Sequence, residues 1–345
     1  MISTDDILNI TTEEEFDRAA MAIFRRQACE CEPYRDYLEL IGVTAAEVTR
    51  VEDIPFLPIE LFKTHRVYCG TDQPEAVFTS SSTSGEGVAR HYVARAAHYE
   101  KVYTRGFEFF YGPAARWSIF ALLPSYLERE GSSLVRMVDG LIRAGSGNVR
   151  GGFYLYDHEK LLADMASDPG PKILLGVSYA LLDLADELTA RAGRLPEGTI
   201  VMETGGMKGR REEMSKEAMH RTLREAFGVA AVHSEYGMAE LMSQAYSVGG
   251  GIFRTPPWMR IAVRDLTDPF DVQWARGACG GLARHSSACG GGNVRGGINI
   301  ADLANLDSCA FIQTQDLGTL RSDGSFTIDG RVARSDIRGC NLLVQ

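Results

Sequence analysis

Between Trp117 and Gly237 the chain alternates an apolar run with an amphipathic one, and this order constrains the fold more than any other feature. "WSIFALLP" precedes "SSLVRMVDGLIRA", "GGFYLYD" precedes "HEKLLADMAS", and "KILLGVS" precedes "YALLDLADELTARAG". "TIVMETGG" then precedes "SKEAMHRTLREAF", before a last apolar run, "AAVHSEYG". Runs that are apolar throughout suit strands covered on both faces, and the segments between them carry apolar residues at helical spacing. The order predicts an α/β core: a mainly parallel sheet flanked by helices.

Upstream, Thr12 followed three residues later by Glu15 is a capping-box pattern, with Phe16, Ala20, Ile23 and Gln27 stepping down one side of the helix it starts. After about Gly249 the texture becomes strand-rich and turn-rich, in "RIAVRDL", "INIADL", "CAFIQT" and "SFTIDG". The division expected is a core over residues 1–248 and a β-rich subdomain over 249–345, with the Gly-rich run from Gly277 to Gly297 as a mobile or inserted loop.

The stretch "FTSSSTSGEG" from Phe78 to Gly87 asks for an explanation. Its residues suit a solvated turn or linker, and equally an anion cradle in which backbone N–H groups and hydroxyls converge on phosphate oxygens. A Walker-type loop needs a lysine and a helix directly after it. Here lysine is absent, and "VARHYVARA" alternates like the second strand of a hairpin. The loop is expected to sit between two strands.

Charge narrows the partners. A formal net charge of -10, with acidic residues spread along the chain, gives no basic face for nucleic acid or an anionic membrane. The start, "MISTDDILNITTEEEFDRAA", lacks the basic and apolar blocks of a secretory peptide, and no stretch reaches membrane-spanning length, so a cytoplasmic location is expected. The seven cysteines, an odd number without regular spacing, fit a reducing compartment. Cys279, His285 and Cys289 include zinc-ligand types, but they lack a C-x-x-C pair and a fourth ligand.

The strand, Ser/Thr/Gly loop, strand order resembles the phosphate loop of the adenylate-forming enzymes, with Phe78, Thr79, Ser80, Ser81, Ser82, Thr83, Ser84, Gly85, Glu86 and Gly87 in the place of that family's aromatic-T-S-G-T-T-G-x-P-K-G; the usual Pro and Lys are missing. Three later segments follow in family order. "ETGGMKG" from Glu203 to Gly209 resembles the glycine pair bordering adenine, "HSEYGMAEL" the Y-G-x-T-E element, and "QDLG" with "IDGR" the T-G-D-L, D-G and G-R elements. With "NIADLANLDSCAFIQTQDLGTL", the chain looks most like the acyl-protein synthetase component of the bacterial luminescence fatty-acid reductase complex.

The resemblance implies the N-terminal domain of the adenylate-forming enzymes: mainly parallel sheets plus a β-rich subdomain. It also implies ATP-dependent activation of a carboxylic acid, such as a fatty acid, as an acyl-adenylate. Transfer to a protein thiol or carrier follows, with an acyl reductase or acyl-carrier protein as partner. Tyr236, beside Gly237, would stack on adenine, although a half-buried core tyrosine is the alternative. Glu240 would coordinate Mg²⁺, and Gly205 and Gly206 would let the backbone approach the base. Asp316 would take the ribose hydroxyls, Arg331 would bind ribose or phosphate, and His233 would help position the acyl carboxylate or simply sit satisfied at a strand end.

Two departures qualify the resemblance. Ala239 stands where the family has Thr, and the family's further domain with its catalytic lysine is expected to be absent after Arg331, so that Lys208, Lys63 or an arginine such as Arg338 would substitute, adenylation would be slow, or a partner would complete the site. Cys340 occupies the place of an acyl-accepting cysteine, with Cys309 in reserve. The departures keep open a second expectation, a degenerate non-catalytic subunit that binds nucleotide or acyl ligand.

Overall fold

The capping pattern at Thr12 does start a helix. Thr12 Oγ1 accepts from the Glu15 backbone N–H at 3.2 Å, and Glu15 Oε2 accepts from the Thr12 N–H at 3.0 Å. Both N–H groups are thereby paired at a helix end that cannot pair its own. The computed structural model describes residues 2–80, 87–124, 131–145, 151–205, 211–212, 214–274 and 292–332. A short helix α1 (Thr4–Leu8) leads into α2 (Glu13–Glu30) and α3 (Glu32–Leu40). Phe16, Ala20, Ile23 and Gln27 form the buried face of α2, as their spacing predicts. Gln27 belongs there because its amide is satisfied. It donates to the carbonyls of Asn305 and Leu306 and accepts from the Ala310 N–H, tying α2 to the C-terminal strands.

A two-residue strand, β1 (Leu57–Pro58), and the helix α4 (Leu61–Thr64) precede a hairpin of β2 (Ala76–Thr79) and β3 (Arg90–Val93). The hairpin is antiparallel, with Phe78 opposite His91 and Thr79 opposite Arg90. The strand expected after the Ser/Thr/Gly loop is therefore present. Helix α5 (Ala96–Tyr111) follows and buries Tyr99, Val102, Tyr103 and Phe107.

The alternating segment makes the central sheet. In chain order come β4 (Ser118–Leu122), α6 (Ser133–Ala144), β5 (Gly152–Phe153), α7 (His158–Ser167) and β6 (Lys172–Val177). They are followed by α8 (Ser178–Ala190), β7 (Ile200–Thr204), α9 (Lys216–Phe227), β8 (Val232–Tyr236) and β9 (Ala245–Ser247). The strands lie in the order β5-β4-β6-β7-β8, all parallel, and β9 closes the edge antiparallel to β8. Every residue of β4 and β6 is buried, which is why these strands read as apolar runs after their first residues, Ser118 and Lys172. "GGFYLYD" contributes only two residues, at the sheet edge.

The strand-rich end forms a second sheet from β10 (Met259–Arg264), β11 (Val272–Trp274), β12 (Val294–Asp302), β13 (Phe311–Leu320) and β14 (Phe326–Arg331). Its order is β1-β13-β12-β10-β11, with β14 also on β13. All its pairings are antiparallel except that of β1, which runs parallel to β13 at Ile312 and Gln313.

The Gly-rich run is corrected at its end, because Val294 to Gly297 belong to β12 and not to a loop. Gly296 and Gly297 are needed there for close approach. A Cβ on Gly296 would lie 2.3 Å from the Arg264 carbonyl oxygen, and one on Gly297 would lie 2.4 Å from Arg264 Cζ. The Arg264 guanidinium is buried across this point and donates to the carbonyls of Ile298 and Thr314 and to Asn299 Oδ1. Among the described residues no helix is long and apolar enough to cross a membrane.

Candidate active site

The loop after β8, residues 237–244, has no regular structure, so its backbone groups need partners from elsewhere. The second sheet supplies them. Asp302, fully buried at the end of β12, accepts from the N–H groups of Met242 at 2.9 Å and Ser243 at 2.8 Å and from the Ser243 hydroxyl at 2.7 Å. It also accepts from the Ala304 N–H, and the Trp258 indole donates to the Ser243 hydroxyl. Burial pushes the Asp302 carboxyl above its ordinary range, and these donors pull it back.

Asn305 donates to the carbonyls of Glu240 and Cys309 at 3.0 and 2.9 Å. Its Oδ1 lies 3.0 Å from His91 Nε2, and His91 Nδ1 lies 2.8 Å from the Ala239 carbonyl oxygen. His91 sits on β3, so this network fastens the hairpin of the Ser/Thr loop to the loop bearing Glu240. None of Asp302, Asn305 and His91 was singled out from the sequence. The available signal was polar residues inside the apolar context of "NIADLANLDS", which is how a buried polar clamp reads.

Three predicted residues from separate segments meet beside this clamp. The Tyr236 hydroxyl donates to Asp316 Oδ2 at 2.7 Å, and Arg331 Nε lies 3.5 Å from Asp316 Oδ1. The register of β13 and β14 places Asp316 opposite Arg331, so their pairing is built into the second sheet. The Tyr236 ring packs against Phe253 and Phe326, which fixes its plane while its hydroxyl reaches the carboxylate. The Arg331 side chain is 81% exposed, leaving its donors open to a ligand.

Glu240 is only 6% exposed. Burial raises its carboxyl above the ordinary range, while the charges of Arg331 and Lys63 favour ionisation and that of Asp316 opposes it. Lys63, one of the named lysine substitutes, is thus near enough to act electrostatically on Glu240. A buried carboxylate suits Mg²⁺, which takes one or two protein carboxylates and completes its shell from phosphates and water. Among the described residues no group of three or more His, Cys, Asp or Glu side chains could hold a metal by itself.

The opposite face of β8 carries His233 and Glu235. His233 Nδ1 lies 3.2 Å from the Tyr111 hydroxyl, and burial lowers the imidazole below its ordinary range. Glu235 is buried, and its Oε2 accepts from Thr204 Oγ1 at 2.5 Å. Burial pushes its carboxyl up to about 7, the Glu203 charge adding to the rise. Between the unfolded value near 4.5 and about 7 the folded chain binds the extra proton, so stability falls as pH rises through that window. Urea denaturation should show a loss of roughly 3 kcal/mol across it, and Glu235→Gln should remove most of that slope. A slope unchanged in the variant would assign the effect to other groups.

The remaining predicted residues are placed unevenly. Thr79 ends β2, and Ser80 stands at the loop entrance, its hydroxyl accepting from the Ala89 N–H at 3.1 Å. Gly205 follows β7 with φ +69°, a left-handed turn that favours glycine, and its carbonyl accepts from the Ser178 hydroxyl. Ser81, Ser82, Thr83, Ser84, Gly85, Gly206, Lys208, Cys279, His285, Cys289, Arg338 and Cys340 lie outside the described residues. Cys309 is fully buried, its thiol donating to the Phe311 carbonyl, and burial raises its pKa, so the reserve cysteine has neither exposure nor thiolate character.

No family model matches the sequence, and no curated protein matches it. Solved structures do. A 2-hydroxyisobutyryl-CoA ligase, in an open conformation with 2-HIB-AMP and CoA, aligns with TM-score 0.62 at 14% identity over 95% of this chain and 72% of that one. The same ligase in its postadenylation state with R3-HIB-AMP gives 0.62 at 14% identity over 94% and 69%. The luciferase-like enzyme of the nonluminescent mealworm Zophobas morio gives 0.50 at 15% identity over 76% of this chain and 59% of that one. At such identities the likeness is one of fold: the chain has the α/β fold of the adenylate-forming ligases' N-terminal domain, as its ordered motifs led us to expect.

Proposed function

We propose that the chain activates a carboxylic acid with ATP as an acyl-adenylate and passes the acyl group to a protein thiol or carrier. The observation that carries this reading is the contact of Tyr236 and Arg331 with Asp316, where Arg331 and Asp316 also bear electrostatically on Glu240, in a loop that His91 ties to the hairpin whose loop holds the hydroxyl run. A carboxylate oxygen of the acid attacks the α-phosphorus of ATP, the bond from that phosphorus to its bridging oxygen breaks, and pyrophosphate leaves.

Each residue has one task in this step. The fixed ring of Tyr236 offers a face for adenine, while Asp316, already oriented by Tyr236 and Arg331, accepts from the ribose hydroxyls. Backbone N–H and hydroxyl groups of Thr79 to Gly85 take the phosphate oxygens, on which charge builds as the reaction proceeds. Glu240 would hold Mg²⁺, which when bound neutralises phosphate charge. Lys63, electrostatically close to Glu240, stands in for the family's lysine. The finer reading follows the sequence resemblance: a hydrophobic, fatty-acid-like substrate, Cys340 as the thiol that displaces AMP, and an acyl reductase or carrier protein as the final recipient.

Carboxylate-dependent ATP–pyrophosphate exchange tests the proposal. Label from pyrophosphate should enter ATP only when ATP, Mg²⁺ and a suitable acid are all present. ATP binding without exchange, across a broad panel of acids, would instead support the non-catalytic subunit that Ala239 brought into view.

A further inference from the structure

His91 is buried on β3, and both of its hydrogen-bond contacts are with groups that can only accept. Nδ1 faces the Ala239 carbonyl oxygen at 2.8 Å, and a carbonyl has no proton to give. Nε2 faces Asn305 Oδ1 at 3.0 Å, and the orientation of that amide is fixed from its other end. Asn305 Nδ2 donates to the carbonyls of Glu240 and Cys309, at 3.0 and 2.9 Å, so turning the amide over would set an oxygen against two oxygens. Both ring nitrogens of His91 therefore meet acceptors. A neutral imidazole carries one N–H and satisfies only one of them, and its other contact would bring two lone pairs together inside the protein.

The rest of the surroundings is apolar. The ring meets Phe62 of α4 edge to face, with centroids 6.1 Å apart, and lies 6.5 Å from Phe78 of β2. The charged residues nearest in sequence to its contacts are engaged elsewhere. Lys63, after Phe62, acts on Glu240, which follows Ala239. On either side of Asn305, Asp302 accepts from the Met242 and Ser243 N–H groups, and Asp307 pairs with Arg26. Burial lowers the imidazole below its ordinary range, the two acceptors raise it, and no charged side chain among the described residues bears on it.

We propose that His91 is a positioning residue that works as an imidazolium: it donates to the Ala239 carbonyl and to Asn305 Oδ1 at once, and so holds the loop of Glu240 against the hairpin of the Ser/Thr loop. Loss of the proton from either nitrogen releases one side of this clamp. The Ala239 side leads to Glu240 in the next peptide unit, and the Asn305 side reaches it through the Glu240 carbonyl. Protonation of one buried ring thereby sets how firmly Glu240 is placed relative to the phosphate loop. The proposal rests on the adenylation reading only for what Glu240 does there.

Nitrogen-15 spectra of the histidine rings, recorded on the full chain without ATP or acid between about pH 5 and 8, test it independently of turnover. The His91 ring is recognised by its proximity to Phe62 and Phe78. Carbon-13 carbonyl alanine with nitrogen-15 glutamate reports the peptide units Ala46–Glu47 and Ala239–Glu240, the first serving as control. Both His91 nitrogens should carry protons at the acid end. Any loss of a proton on raising the pH should move the Ala239 carbonyl or the Asn305 side-chain amide with the same midpoint and leave Ala46 unmoved. A ring that stays neutral throughout, or one that titrates while Ala239 and Asn305 both stay unmoved, overturns the proposal. His91→Asn keeps a donor on the Ala239 side and His91→Gln one on the Asn305 side, so each mimics one released state. Pyrophosphate exchange of the parent should exceed that of either variant roughly fivefold wherever His91 is charged, the effect of one hydrogen bond, and the excess should vanish as the proton is lost. An excess that does not follow the charge overturns the positioning role. Exchange absent from the parent with every acid removes the adenylation reading, and the spectra then decide alone.

Discussion

Replacing Glu240 by glutamine is expected to lower carboxylate-dependent pyrophosphate exchange at least about a hundredfold, the scale seen when one preorganised electrostatic contact to a developing charge is removed. The variant should fold as well as the parent or slightly better. Glu240 is buried and its carboxyl is raised by burial, so a neutral amide of the same size removes a desolvated charge. Urea midpoints measured beside the exchange rates separate the two effects. Exchange within threefold of the parent, with an unchanged midpoint, would remove Glu240 from the chemistry and with it the assignment of the metal.

Asp302 carries the second large expectation, this time on stability. Asp302→Ala removes the shared acceptor of the Met242, Ser243 and Ala304 N–H groups and of the Ser243 hydroxyl, all in the buried clamp. Leaving such donors unpaired is expected to cost about 3 kcal/mol or more, measurable by urea denaturation. The same change frees the loop of Glu240, so exchange should fall with stability even under conditions where the variant remains folded. A loss below about 1 kcal/mol would show that water or a shifted backbone takes over the four bonds.

Much of the scaffold was legible because its causes are local. The Thr12 and Glu15 cap, the buried stripe of α2 and the apolar runs of β4 and β6 each follow from residues a few positions apart, and each is present in the structure. The hairpin around the Ser/Thr loop was legible for the same reason, from alternation in "RHYV" and the missing helix. What stayed hidden depends on distant pairing. Leu57 and Pro58 carry no sign that they will lie parallel to Ile312 and Gln313. The Asp302 clamp joins groups about sixty residues apart, and its partners are backbone N–H groups that every residue but proline possesses. At the site, Tyr236, Asp316, Arg331 and Glu240 could be named from ordered motifs, and the structure joins the first three in one contact, with Asp316 and Arg331 acting electrostatically on Glu240.

The fate of an isotopic oxygen tests the central claim most directly. An acid that supports exchange, labelled with oxygen-18 in its carboxylate, is turned over once with ATP and Mg²⁺, and the products are weighed by mass spectrometry. Attack on the α-phosphorus leaves one labelled oxygen bridging acyl group and phosphate, and transfer of the acyl group to a thiol then releases that oxygen in AMP. We predict label in AMP and none in pyrophosphate. Label in inorganic phosphate with ADP as co-product would place the attack at the γ-phosphorus and contradict the account.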